Sequence, residues 1–344
     1  MRTSLADLLE TRTVLLADGA TGTNYMERGL GPGEPPELWN VEHPERVRGL
    51  HEDFVDAGAD IILTNTFGCT TYRLKLHGNQ HRVRELAVAA AQIAREVADA
   101  ADRPVVVAGS VGPLGELFEP MGLLTEAEAV AAFREQIEGL REGGADVAWI
   151  ETMFSAEEVR AAAQAAIDSG MPYTATLSFD TAGRTMMGIL PENLPSLFEG
   201  LAVPPVAIGA NCGVGASDIL LSILSISGSE SGAKSNHVYI SKGNCGVPHF
   251  HGTEIVYSGT TEVMAAYARL AIDAGARIIG GCCGTSPAHL AAMRRSVDLV
   301  VSGDESAGDR PTLEQIVATT GPLTNSAPNA NAGEGRERSR SRRG

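Results

Sequence analysis

Residues 125–151 read TEAEAVAAFREQIEGLREGGADVAWIE, and the kind of unit they form decides the fold. Thr125 is a good helix cap, the apolar residues after it recur with a helical period, and Gly143 marks the stop. The break Gly143-Gly144-Ala145 then feeds the apolar run Val147–Ile150, which ends on Glu151. A short strand that is apolar at nearly every position is buried on both faces, as in a parallel sheet covered by helices. Working outward, the same break returns as Ala57-Gly58-Ala59 and Ala274-Gly275-Ala276, each reading as a helix C-cap that leads into a strand. The other apolar runs are Val14–Ala17, Ile61–Thr64, Val105–Gly109, Thr174–Ser178, Val206–Ala210, Val238–Ser241 and Ile278–Gly281. Helical patterns such as Glu262–Ala274 lie between them. Eight strand–helix units predict an α/β protein, a (β/α)8 TIM barrel, with a doubly wound open sheet as the alternative arrangement.

The barrel is expected over residues 1–304, and a short helix with a disordered Arg-rich tail over 305–344. Pro311–Thr319 reads as that helix, and Thr324–Gly344 (TNSAPNANAGEGRERSRSRRG) is too poor in apolar residues to bury a core. Its arginines are read as a solvated appendage. The net charge of −16 would repel the phosphates of a nucleic acid, so no such partner is expected. No run of about 18 apolar residues exists, and Met1–Glu10 has no leader pattern, so neither membrane span nor secretion is expected. Five cysteines in 344 residues, most of them beside glycines, fit reduced cytoplasmic thiols better than a disulfide framework. A homo-oligomer is compatible with the sequence.

Two of those cysteines are adjacent, in Gly280-Gly281-Cys282-Cys283-Gly284-Thr285, and a third stands in Asn211-Cys212-Gly213. A disulfide between neighbours closes a strained ring, so a soft metal ion shared by the pair and the third thiolate is the better reading. Three cysteine ligands with no fourth suggest Zn2+ with an open position, the mark of a catalytic site. Barrel enzymes build their sites at the carboxyl ends of the strands. Asp18 follows the first run, Thr64-Asn65-Thr66-Phe67 the second, Ser110 the third, Glu151 the fourth and Cys212 the sixth, while Cys282-Cys283 close the eighth.

The ordered set Asp18-Gly19-Ala20-Thr21-Gly22-Thr23, Thr64-Asn65-Thr66-Phe67-Gly68, Gly109-Ser110-Val111-Gly112-Pro113, Asn211-Cys212-Gly213 and Gly280–Thr285 resembles the homocysteine S-methyltransferase family. The resemblance runs from about residue 13 to 297. Within the family the chain looks most like bacterial betaine–homocysteine methyltransferases, through Leu38-Trp39-Asn40, Ser178–Gly188 and Ser241-Lys242-Gly243-Asn244. It implies Cys212, Cys282 and Cys283 as zinc ligands and the sulfur of homocysteine in the open position. It also implies that Asp18 and Glu151 hold the substrate ammonium and that backbone amides around Gly19 and Thr21 meet its carboxylate. The implied reaction moves a methyl group from glycine betaine to homocysteine, giving methionine and dimethylglycine.

A quaternary ammonium is best held by aromatic faces, at roughly 0.5–2 kcal/mol per contact. Trp39 and Phe67 are the leading candidates for such a cage, with Tyr72 and Tyr25 beside them. Animal betaine enzymes of the family carry an aromatic residue after the fourth-strand glutamate, where this chain has Thr152, so contacts from that side are not carried over. Other donors compatible with the motifs are a methylcobalamin protein, as in a split cobalamin-dependent methionine synthase, and S-methylmethionine. A further alternative is a non-catalytic zinc protein in which Cys245 closes a four-sulfur site.

Overall fold

The computed structural model of the chain describes residues 2–229, 237–246, 248–251, 254–304 and 308–323, with 248–251 and 254–256 as backbone. Each of the eight apolar runs forms a strand of one parallel sheet. These are β1 Leu15–Leu16, β2 Ile61–Leu63, β3 Val106–Val111, β4 Val147–Met153, β5 Tyr173–Leu177, β6 Ala207–Cys212 and β7 Val238–Gly243. A hairpin, β8 Pro248–His251 and β9 Glu254–Tyr257, precedes the last of them, β10 Ala276–Gly281. Neighbours run in the order β1-β10-β7-β6-β5-β4-β3-β2, and a parallel bridge from Ala17 to Ile61 joins the two ends. The sheet therefore closes as a (β/α)8 barrel, and the open-sheet alternative falls.

Local chemistry explains the elements. The helix Glu126–Gly143 starts with a capping box: the Glu128 amide donates to Thr125 Oγ1 and the Thr125 amide to Glu128 Oε2. It ends at Gly144, whose φ of 102° is left-handed, one residue beyond the expected stop. Strand alternation then sorts side chains into two cores. Leu15, Ile61, Val106, Ala108, Val147, Trp149, Ala207, Ile240 and Ile278 fill the barrel interior, together with Leu5, Leu8 and Leu9 of the helix Leu5–Thr11. Leu16, Ile62, Val107, Ala148, Ile150, Ile208 and Ile279 point outward into the layer beneath the helices.

Continuing the inward series by steps of two leads to Ser110, Glu151, Asn211, Lys242 and Cys282 at the carboxyl rim. These polar residues form the top of the interior.

The short helix expected at Pro311–Thr319 forms as Leu313–Thr320. It packs against the helices Ala216–Gly228 and Thr261–Asp273, buries Ile316, and is tied down by a Ser217 hydroxyl donating to the Gly321 carbonyl. It thus belongs to the outer layer of the barrel. The tail expected over Thr324–Gly344 lies outside the described residues. Among the described residues no helix is long and apolar enough to cross a membrane.

Candidate active site

Cys212 ends β6, and Cys282 and Cys283 follow β10, with β7 between the two strands. The three sulfurs lie within 4.8 Å of one another, and Cys212 Sγ is 3.9 Å from Cys283 Sγ. A tetrahedral ion with metal–sulfur bonds of about 2.3 Å sets its sulfurs about 3.8 Å apart, so the trio fits zinc. The strand between them supplies the ties: the Cys282 amide donates to the Gly243 carbonyl at 2.7 Å and the Cys245 amide to the Cys283 carbonyl at 2.9 Å. The thiol of Cys245 is buried and donates to the Gly259 carbonyl at 3.4 Å, outside the trio. The four-sulfur alternative therefore has no fourth sulfur in place.

Protons are unevenly shared among the three thiols. Hydrogen bonds from Cys212 and Cys282, helped by the hydroxyl of Tyr257, draw Cys283 down to about 3. Cys212, the donor to both neighbours, is pushed well above the ordinary thiol range. The Tyr257 ring lies against Gly284, where a Cβ would come within 2.4 Å of it. Only a glycine admits that approach.

Asp18 and Glu151 are alike by sequence, each a carboxylate ending a strand, but their surroundings differ. Asp18 Oδ2 accepts the Leu63 amide at 2.7 Å and Oδ1 accepts the ammonium of Lys242 at 2.8 Å. Each oxygen of Asp18 thus already accepts one bond within the protein and keeps a second lone pair for a further donor. Glu151 Oε1 accepts the Ser110 hydroxyl at 2.5 Å, and the residue keeps 8% of its surface against 2% for Asp18. Burial lifts Glu151 to about 7, despite the pull of Lys242. Lys242 is itself fully enclosed, 5.9 Å from the Trp149 ring centre. Burial disfavours its charge, yet Asp18 and Glu151 outweigh that and hold its pKa above the usual lysine value.

Gly19 and Thr21 lie beside Asp18 after β1. The Ala20 amide is spent on the Thr285 carbonyl at 3.0 Å, while the Gly19 and Thr21 amides have no acceptor among the described residues.

The aromatic candidates differ in exposure. Tyr25 and Trp39 are buried with ring centres 5.3 Å apart, and the Arg46 guanidinium already covers Trp39 at 4.8 Å. These two rings pack against each other, with Arg46 over Trp39. Phe67 is 38% exposed and rests on Gly112, and Tyr72 is half-buried on the helix Thr71–Lys75.

Four residues of this mouth carry no role in the sequence: Lys242, Asn211 and Asn244 stand there only as parts of motifs, and Tyr257 belongs to none of them. For Lys242 a signal exists, because a lysine directly after the apolar run Val238–Ser241 is as anomalous as the glutamate after Val147–Ile150. Tyr257 arrives on the hairpin, which no apolar run announces.

A sequence model of the homocysteine S-methyltransferase family matches residues 15–297. Over 333 residues the chain is 28% identical to a methionine synthase of Mycobacterium tuberculosis, covering 91% of this chain and 27% of that protein. A methionine synthase of Mycobacterium leprae is 28% identical over 323 residues, covering 88% and 26%. The chain thus spans about a quarter of the length of these relatives. Among solved structures, the homocysteine methyltransferase MmuM from Escherichia coli is similar in its oxidized and metallated forms. Each has a TM-score of 0.70 and 25% identity, covering 84% of this chain and 97% or 98% of that one.

Proposed function

The chain belongs to the homocysteine S-methyltransferase family, and from that premise we propose that it transfers a methyl group to the thiol of homocysteine, giving methionine. The observation that carries this reading is the trio Cys212, Cys282 and Cys283, spaced for one ion at the carboxyl mouth of the barrel beside Glu151. Those three thiolates would hold Zn2+, which when bound supplies the charge that deprotonates an incoming thiol near neutral pH while leaving its sulfur electron-rich. The chain's own groups orient the substrate. Glu151 accepts the substrate ammonium, and the unpaired amides of Gly19 and Thr21 donate to its carboxylate. Asp18 acts from beneath by fixing Lys242, whose positive charge keeps a negative cluster of thiolates and carboxylates together. The sulfur then attacks in line on a methyl carbon, and the leaving centre departs with the bonding pair.

Glycine betaine is the donor read from the sequence, and Phe67 and Tyr72 are the candidate rings that keep accessible surface for its quaternary ammonium. A second reading draws the methyl group from a separate methyl-corrinoid protein; the match of 91% of the chain to about a quarter of a methionine synthase favours it. The test offers homocysteine to the purified chain with glycine betaine, S-methylmethionine or a methylcobalamin carrier in turn and measures methionine. Methionine with betaine supports the first reading and methionine with the carrier alone the second. In either case Cys282→Ala is expected to lose bound zinc and turnover together. An active, metal-free Cys282→Ala chain would sink the mechanism.

A further inference from the structure

The three thiols come from segments seventy positions apart, and two buried asparagines span the gap between them. Asn211 directly precedes Cys212 and is fully buried. Its Oδ1 accepts the Thr152 amide at 2.8 Å and the Thr176 hydroxyl at 2.6 Å. Because a backbone N–H can only donate, this contact fixes which end of the amide is oxygen. The Nδ2 end accordingly donates to Thr152 Oγ1 at 2.7 Å and reaches Cys282 Sγ at 3.9 Å. Asn244, just past β7 and 3% exposed, is arranged in the same way. Its Oδ1 accepts the Cys283 amide at 3.0 Å, and its Nδ2 donates to the Gly213 carbonyl at 3.0 Å.

Each asparagine therefore joins the Cys212 segment to the Cys282-Cys283 segment. Asn211 does so through the sulfur of Cys282, and Asn244 through the backbone on both sides. The backbone they hold is unusual. Cys212 has a φ of 59° and Thr152 a φ of 62°, left-handed values that a β-branched threonine seldom adopts. Thr152 lies where the β4–β5 register slips between Ile150 and Met153, so a bulge turns the chain directly after Glu151. Three contacts between Asn211 and Thr152 or Thr176 pin that bulge. No comparable constraint on it is written into the local sequence.

We infer that Asn211 and Asn244 are positioning residues that preset the spacing of the three thiols, and so set the affinity of the site for its metal. Asn211 in addition fixes the direction of Glu151 through the Thr152 bulge. The inference rests on reading the trio as a metal site. A group that orients a metal ligand typically changes metal affinity 10–100-fold when removed.

The test uses the full chain and its Asn211→Asp and Asn244→Asp variants, which keep the side-chain shape but replace a donor by an acceptor. Zn2+ affinity is measured by competition with a chromophoric chelator, and Co2+ loading by its thiolate charge-transfer absorption. Each variant is expected to bind Zn2+ about 10–100-fold more weakly, with weaker Co2+ absorption and an unchanged far-UV circular dichroism spectrum. Asn211→Asp is expected to raise KM for homocysteine more than it lowers kcat, whereas Asn244→Asp is not. Zn2+ affinities within about threefold of the unsubstituted chain for both variants would overturn the inference. Should an aspartate variant fail to fold, Thr176→Val takes its place, since it is isosteric and removes one donor to Asn211 without touching a thiol segment. A several-fold loss of Zn2+ affinity there supports the inference, and no loss overturns it. An unsubstituted chain that binds no Zn2+ would overturn the metal reading itself, and this inference with it.

Discussion

Lys242 governs the charge balance of the mouth, because one ammonium serves two buried carboxylates, Asp18 at 2.8 Å and Glu151 through space. Removing one partner of a buried ion pair costs about 3–5 kcal/mol, since it strands the other charge. Lys242→Met keeps much of the packing against Trp149 and deletes only the cation. Both carboxyl groups then rise further above their unfolded values, from a starting point of about 7 for Glu151, where burial already dominates. A folded-state pKa raised in this way gives stability that is present below the unfolded pKa and lost as pH rises through the folded one. The stability gap between Lys242→Met and the unsubstituted chain is therefore expected to be smallest near pH 5 and to widen toward pH 8. Denaturant unfolding at the two pH values measures it, and a gap of equal size at both would contradict the charge assignment.

At the scale of elements, the site depends on how closely β6 and β7 approach, and Gly209 sets that approach. A Cβ there would lie 1.9 Å from the Ile240 carbonyl oxygen and 2.7 Å from its nitrogen, all backbone atoms that cannot swing away. Gly209→Ala must part the two strands that carry Cys212 and Lys242. Overpacking of this kind costs about 1–3 kcal/mol, and here it is expected to lower zinc retention as well. Thr125→Ala supplies the contrast: it removes a helix cap worth about 1 kcal/mol and is expected to leave metal content unchanged. Unfolding curves with metal analysis on both variants check the pair; full zinc in a folded Gly209→Ala would refute the strand argument. The same strands explain what was legible in the sequence. Parallel strands buried on both faces must be apolar, so all eight announced themselves, but only as far as the apolar run extended. Glu151–Met153, Asn211-Cys212 and Lys242-Gly243 stay in the ladder while turning polar, because at the rim the barrel interior becomes the site. Composition reads such residues as loop, which is why Glu151 and the cysteines were found by chemistry and Lys242 and Asn211 were not. The hairpin strands are four residues each, too short for alternation to register. The positive φ of Thr152 runs against its own propensity and is imposed by Asn211 from another strand.

For the whole molecule the question is whether the proposed metal would hold the fold or the fold would hold the metal. In small zinc domains the ligands are the core, and chelation unfolds them. Here the ring of strands is closed by its own backbone, from the β1–β10 ladder round to the Ala17–Ile61 bridge. Two separate apolar cores support that ring, and neither contains Cys212, Cys282 or Cys283. The three thiols sit at one rim, tied to one another through Asn211, Asn244 and the backbone of β7. A ligand that binds only the folded state adds stability according to its excess over Kd, about 2.7 kcal/mol at a hundredfold excess. For a domain of 150–250 residues each kcal/mol is worth roughly 2–4 °C in Tm, and somewhat less for a larger one. Stripping zinc with a chelator is therefore expected to lower Tm by on the order of 5 °C while leaving the far-UV circular dichroism spectrum at room temperature unchanged. Cys282→Ala is expected to melt near the stripped chain and to show no response to chelator, since both lack the same cross-link between β6 and β10. Calorimetry on the four samples, each chain with and without chelator, separates the two architectures. Loss of the helical signal on chelation at room temperature would mean that the ion holds the barrel together, and a chelator shift that persists in Cys282→Ala would mean that the metal binds elsewhere.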